Sequence, residues 1–420
     1  MKTSQHPQNH LAGFQCLRCG HQEPKTFTGM LCPTCEGNLD VLYDYAAINP
    51  RNWMRERDDI FRYSALLPIS DLSLTPVQRV GHTPLYHAVR AGASLGLRNL
   101  YVKDDGLNPS GSFKDRAGAV ALVVARERNA GSIAAATTGN AGSSMAALAG
   151  GVNFPCAIFV PASAPPAKLA QILAFGVKVI AVRGTYDQAY DLCEEVCAQR
   201  GWFNRNTGYN PFTREGKKTC SFEIWEQLGG QAPDHLFVGT GDGNIISGIW
   251  KGFRDLLALK LIEKMPRLYA SQSERSAAVS RAVREARRMG IAPDWKALAL
   301  PTVQADTLAD SIAVDFPSDG LAAVRAVIET GGDAVTVSDQ EILDAIPDLA
   351  RSTGVFAEPA ATACWAAMKR LAAAGRFSPD DKVVCVVTGS GLKDIASVRR
   401  AVGDPIAVDA TMDAVLKILS

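Results

Sequence analysis

The sequence predicts an α/β protein of largely parallel sheets, preceded by a small four-cysteine module. Two observations carry the first part: short apolar, β-branched runs alternate with longer helical stretches, and turns rich in glycine and hydroxyl residues stand where several of those runs end. A third, a pair of C-x2-C repeats before residue 36, carries the second. At 420 residues the chain exceeds the size of one core, so two or three lobes are expected.

The module comes first. "CLRCG" and "CPTCEG" place Cys16, Cys19, Cys32 and Cys35 on two tight turns, a spacing that brings four sulfurs into tetrahedral reach of one Zn2+. Four thiolates close the coordination sphere, so such a site is structural. A disulfide pair and a nucleic-acid-binding ribbon are the alternatives. The former suits a reducing cytosol poorly, and little basic-aromatic interleaving supports the latter. The other six cysteines, Cys156, Cys193, Cys197, Cys220, Cys364 and Cys385, sit in apolar or helical segments and are expected to be buried.

"LDVLYDY" closes the module, and a polar, Arg-rich connector from about Asn49 leads into the body. There "NLYVK", "SIAAAT", "CAIFVP", "KVIAVR", "HLFVGT", "AVTVSD" and "KVVCVVTG" are predicted strands. "PPAKLAQILAFG", "YDQAYDLCEEVCAQRG", "NIISGIWKGFRDLLALKLIEK" and "EPAATACWAAMKRLAAAGR" carry apolar residues at helical spacing. The basic run "SRAVREARRMG" is read as the solvated face of a helix.

Lys+Arg 44 against Asp+Glu 43 leaves a formal charge of +1, which offers no footprint for nucleic acid or an anionic membrane. The opening "MKTSQHPQNHLAG" lacks the apolar core of a signal peptide, and no run is long and apolar enough to span a bilayer. A soluble, cytoplasmic protein acting on a small molecule is therefore expected.

In open parallel sheets ligands bind at the loops after the strands, and four such loops suit one ligand. "VGTGDGN" offers converging backbone N–H groups at Gly239, Gly241 and Gly243 before a helix start, a cup for phosphate, although it matches neither the dinucleotide nor the nucleotide-triphosphate loop. "TTGNAGSS" can clamp a carboxylate and leaves Asn140 to donate to a ring oxygen. "VVTGSGLKD" presents the Thr388 hydroxyl. "NPSGSFKDR" sets Lys114 behind a turn at a helix start, either as a surface cation beside Asp115 or as an amine held for chemistry. Phosphate cup, carboxylate clamp, hydroxyl and amine together describe pyridoxal phosphate joined to Lys114.

The ordered set "GSFKDR", "TTGN", "GTGDGN", "AEPAA" and "TGSGLKD", behind a four-cysteine ribbon, resembles the threonine synthase family of fold type II pyridoxal-phosphate enzymes over essentially the whole chain. The resemblance implies a zinc-ribbon-like module at 1–46, a large cofactor-binding lobe at 47–113 and 205–420, and a small α/β lobe at 114–204. It implies Lys114 as the Schiff-base lysine, with Phe113, Asn140, Gly239, Thr240, Gly241, Asp242, Gly243, Asn244 and Thr388 around the cofactor. Glu358 is placed near the ring by the same likeness, its alternative role being a carboxylate favoured by a helix N-terminus. Thr137, Thr138, Gly139 and Ala141 are implied for the substrate, and a homodimer is compatible with the family.

Threonine synthases act on O-phosphohomoserine, and typical members read like "NSVNPxRxEGQKT" where substrate phosphate is held. This chain reads "NTGYNPFTREGKKT", with Thr213 at the arginine's place, Thr207 and Gly208 for the Asn-Ser pair, and Ala141 where threonine is usual. Arg214 is one residue displaced, about 100 degrees round a helix, so only if the segment is a loop are Arg214, Lys217 or Lys218 expected to reach the anion. The expected reaction is β,γ-replacement of phosphate by water. Elimination or β-replacement on a serine-, threonine- or diaminopropionate-like amino acid is the alternative, and a non-catalytic adaptor a third, distant reading.

Overall fold

The computed structural model describes residues 9–50, 53–164, 166–290 and 294–419. Residues 1–8, part of the stretch read for a signal peptide, and Pro165, the first residue of a predicted helix, lie outside that range. Strands β1 (Leu11–Cys16), β2 (Gln22–Pro24) and β3 (Leu39–Tyr43) pair antiparallel in the order β2-β1-β3. Phe14, Leu39 and Val41 are buried, and the Phe14 ring meets Phe212 of the body edge-on at 6.0 Å. The module is thus docked on the body by its own small core.

Strands β4 (Leu85–His87) and β5 (Asn99–Asp104) follow. The chain then builds a four-stranded parallel sheet from β6 (Ile133–Ala136), β7 (Cys156–Pro161), β8 (Lys178–Val182) and β9 (Phe203–Asn204), in the order β8-β7-β6-β9. It returns with β10 (His235–Gly239), β11 (Arg267–Ser273), β12 (Asp333–Val337) and β13 (Lys382–Val387) to complete a six-stranded sheet, β12-β11-β10-β13-β5-β4. All of its pairings are parallel except β4 with β5. Every residue of β10 is buried, as a parallel strand covered on both faces requires.

This topology fixes the site. Central strands β5, β13 and β10 are neighbours in register, with Asp104 opposite Val387 and Val238 opposite Val386. Their carboxyl ends therefore release three loops side by side: 105–113 leading to Lys114, 388–394, and the glycine turn after Gly239.

Each predicted strand is present. Strand β11 was not predicted; its "SQS" end looks polar, yet all three residues are buried. The helix expected over 244–264 ends at Ala258, because Lys260 takes a left-handed conformation (φ 57°) and the Leu261 N–H turns back to the Leu256 carbonyl at 2.9 Å. The basic run lies in helix Ala278–Arg288, with Val279, Ala282, Val283 and Ala286 buried and Arg281, Arg284, Arg287 and Arg288 exposed. The six scattered cysteines are buried free thiols. Among the described residues no helix is long and apolar enough to cross a membrane.

Candidate active site

Lys114 opens helix Lys114–Glu127, and the two residues that follow it are locked. Asp115 accepts from the Ser110 N–H at 2.7 Å and hydroxyl at 2.6 Å. Arg116 donates to Asp105 and Glu223 inside the core. Held by these anchors, Lys114 projects into a narrow cavity that also receives Asn140, Glu358, Thr388 and the turn Gly239–Gly243. Among the described residues no hydrogen bond or ion pair occupies its ammonium, so of the two sequence readings the held amine fits the geometry and the surface cation does not.

Asn140 begins helix Asn140–Gly151 and donates its amide to both Glu358 oxygens, at 3.1 and 3.0 Å. Glu358 stands at the start of helix Pro359–Ala373 but makes no capping bond with its side chain, which points into the cavity instead. Burial pushes its carboxyl up, against the opposing pull of Asn140, Lys393 and Lys114. A Cβ on Gly389 would lie 2.5 Å from this carboxylate, so the glycine of "TGSG" is what makes room for Glu358. Thr388, directly after β13, accepts the Phe113 N–H on its carbonyl at 2.9 Å and turns toward the cavity.

The glycine turn is built by close packing. A Cβ on Gly239 would meet the Ala360 carbonyl at 2.2 Å, and Gly243 has φ 93°. The turn feeds helix Asn244–Ala258, whose positive end faces the cavity. Asp242 lines the same cavity. Burial raises its carboxyl, but Lys114, Lys217, the Asn244 N–H and Arg205 outweigh that and hold it below the usual carboxylate range. A free amine, a ring-oxygen donor, a neutral hydroxyl and a glycine turn at a helix start are the donor set pyridoxal phosphate needs, and the residues fit the group.

Several expected residues stand outside the cavity lining. Phe113 does not line the cavity: its ring is wholly buried beneath the Arg116 guanidinium, 5.4 Å from the centroid. Asn244 is used for packing, with its N–H given to Asp242 at 3.0 Å and its amide to Asp319 at 2.7 Å. Arg214 has all three guanidinium nitrogens engaged: with Ser247 at 3.3 Å, the Leu39 carbonyl at 2.9 Å and Asp319 at 2.5 Å. It faces the cysteine module and cannot hold a substrate anion. Lys217 is fully buried behind the turn and bonds the Asn244 side-chain oxygen. Thr137, Thr138, Gly139 and Ala141 lie half-buried around the start of the Asn140 helix, and only Asn140 of that loop lines the cavity.

The sequence reading missed Ser311 and Ile312, which line the cavity from the short 3-10 helix Asp310–Ile312, and Ile245 and Ala360, one residue beyond Asn244 and two beyond Glu358. No periodicity marks "DSIAV". Apart from the cavity, the Sγ atoms of Cys16, Cys19, Cys32 and Cys35 all lie within 4.8 Å of one another. Cys16–Cys35 and Cys19–Cys32 are separated by 3.5 and 3.7 Å, and all four are free thiols. The edge of a tetrahedron around Zn2+ with Zn–S of 2.3 Å is about 3.8 Å, so the cluster fits zinc and not a disulfide pair.

Residues 77–389 match the sequence profile of the family described as pyridoxal-phosphate dependent enzyme. The chain is 35% identical over 405 residues to a threonine synthase of Methanosarcina acetivorans, covering 96% of this chain and 97% of that one. It is 34% identical over 413 residues to a threonine synthase of Methanocaldococcus jannaschii, covering 96% and 98%. Among solved structures it resembles threonine deaminase isoform 2 from Solanum lycopersicum, with TM-score 0.67, 19% identity and coverage of 82% and 92%. A diaminopropionate ammonia lyase from Escherichia coli matches with TM-score 0.62, 17% identity and coverage of 76% and 87%. At those identities the structures report the fold alone.

Proposed function

The chain belongs to the pyridoxal-phosphate dependent enzyme family, and from that premise we propose that it is a threonine synthase, a lyase that exchanges the phosphate of O-phosphohomoserine for water. The observation carrying this reading is the cavity that sets the unpaired Lys114 amine among Asn140, Glu358, Thr388 and the glycine turn, on a chain aligned nearly end to end with threonine synthases.

Bound there, pyridoxal phosphate supplies an electron sink for charge developing at the substrate α-carbon. Lys114 would hold the cofactor through its amine, and the same amine, when free, would stand as the base for the α-proton. Asn140, held by Glu358, would donate to the ring oxygen. Thr388 would offer the ring nitrogen a neutral hydroxyl, which has no charge to hold a proton there, and this would favour elimination and replacement over transamination. The Gly239–Gly243 turn and the helix behind it hold the phosphate, while the "TTGNA" loop offers donors for the substrate carboxylate. The same proposal includes one structural zinc on the four cysteines, a cytoplasmic setting, and the division into the module and two lobes set out above.

Incubating purified holoenzyme with O-phosphohomoserine, and separately with serine, threonine and diaminopropionate, decides the matter. Phosphate and threonine released from the first alone are expected. Ammonia and keto acid from the others, with no phosphate release, would replace this reading by an elimination on an unphosphorylated substrate.

A further inference from the structure

Arg205 is the least explained charged residue in the core. It follows β9, is 1% exposed, and gives its backbone N–H to the Ala134 carbonyl at 2.8 Å. Its Nη1 reaches only the Thr207 hydroxyl at 3.2 Å, and its Nε and Nη2 have no partner at all. A buried guanidinium in a protein normally has a carboxylate or several acceptors, so two open donors mark a place for an absent anion. Neighbouring groups bound its position: Asn206 accepts the Ala136 N–H at 2.8 Å before the "TTGN" loop, and the charges of Lys114 and Arg205 both stabilise the carboxylate of Asp242, which lines the cavity.

Lys217 is the second cation there. Thr213, at the position where the resemblance leads one to expect arginine, directs its hydroxyl to the Asn244 side-chain oxygen at 3.2 Å, and the Lys217 ammonium bonds the same oxygen. Residues four apart share a helix face, so Lys217 restores on the next turn the charge that Thr213 lacks, whereas Arg214 points elsewhere. Burial, then Lys114 and Arg205, push the Lys217 ammonium well below its usual range, against Asp242 and Asp319. Among the described residues neither cation has an ion pair, in a core where Arg116, Lys103, Lys218 and Arg214 all do.

We propose that Arg205 and Lys217 form the subsite for the substrate's distal phosphate monoester, replacing the anchor of related enzymes with a cation from β9 and a cation one helical turn along. The ligand's identity rests on the threonine-synthase reading; the anion site itself does not.

The test titrates inorganic phosphate into wild-type, Arg205→Met and Lys217→Met holoenzyme, and measures KM for O-phosphohomoserine and α-proton exchange of L-2-aminobutyrate, which carries no phosphate. Each substitution is expected to weaken phosphate binding and raise KM about ten- to a hundredfold, with a much smaller loss in the exchange of the phosphate-free substrate. Unaltered phosphate affinity in both variants overturns the subsite, as does a loss of exchange equal to the loss in kcat/KM. If either variant fails to fold, wild-type crystals soaked in phosphate decide: density within hydrogen-bond reach of Arg205 Nε or Nη2 supports it, and density elsewhere or none rejects it. Wild-type enzyme that binds phosphate through these residues yet does not process O-phosphohomoserine would sink the functional reading and leave the subsite standing.

Discussion

Gly389 shows how a single hydrogen atom in place of a methyl group sets the chemistry. Alanine there would press on the Glu358 carboxylate from 2.5 Å and disturb both Asn140 bonds. Gly389→Ala is therefore expected to lower kcat about ten- to a hundredfold while thermal unfolding shifts little; a variant of unchanged kcat would deny Glu358 its place. Borohydride reduction followed by peptide mapping should fix the cofactor to Lys114, and Lys114→Ala should lose its absorbance while staying folded. Attachment at Lys217 would reverse those roles. Arg214 belongs to stability instead: removing one partner of its buried pair with Asp319 should cost about 3 to 5 kcal/mol, read by urea denaturation, with KM for O-phosphohomoserine raised far less than by Arg205→Met. The residues legible from sequence were those whose neighbours are themselves motif residues, as in "GSFKDR". Arg205 and Ser311 were not, because what distinguishes them is a missing partner or a contact made across the fold.

At the scale of elements, the cysteine module reaches the site through β3. The Leu39 carbonyl takes an Arg214 bond, the Asn38 amide bonds the Gly208 carbonyl, and Tyr43 donates to Glu215 at 2.6 Å, so three residues of the module brace the segment 208–215. Chelation should accordingly raise KM for phosphorylated substrate along with loosening the module; stripping about one zinc per chain without any kinetic effect would show the brace to be idle. Burial pushes the Asp40 carboxyl up, but Lys251, Arg254, Arg214 and Lys218 outweigh it and hold the pKa down to about 2. A depressed carboxyl contributes stability that is complete above its unfolded value near 4 and is lost as pH falls toward 2, here about 2 kcal/mol. The stability gap between wild type and Asp40→Asn should thus be constant above pH 5 and narrow by pH 3. Strands buried on both faces were legible because continuous apolar runs leave no other place for them, while β11 was hidden by its polar end, where Gln272 and Ser273 find their partners across the fold.

For the whole molecule, the decisive junction is Arg116. It lies two residues after Lys114, and its fork joins Asp105 at the end of β5 to Glu223 on helix Thr219–Gln227, with Lys103 bonding the same Glu223 at 2.7 Å. Thr83 and Thr219 fill further donors. Through this one side chain the central strand, the helix after the substrate segment and the helix carrying Lys114 share a single origin, and all of it is removed from water. Such a network is costly to form but costlier to break, because each remaining carboxylate would be left buried and unpaired. Lysine keeps the charge yet cannot span Asp105 and Glu223 with a planar fork. Arg116→Lys is therefore expected to lose about 2 to 4 kcal/mol of unfolding free energy and, by letting the start of the helix drift, to lower kcat more than it raises KM. The cofactor absorbance band should broaden or shift in the same variant, a response that a purely global destabilisation would not produce. A variant destabilised to that extent with native kcat and an unchanged band would separate the network from the chemistry and confine Arg116 to holding the fold.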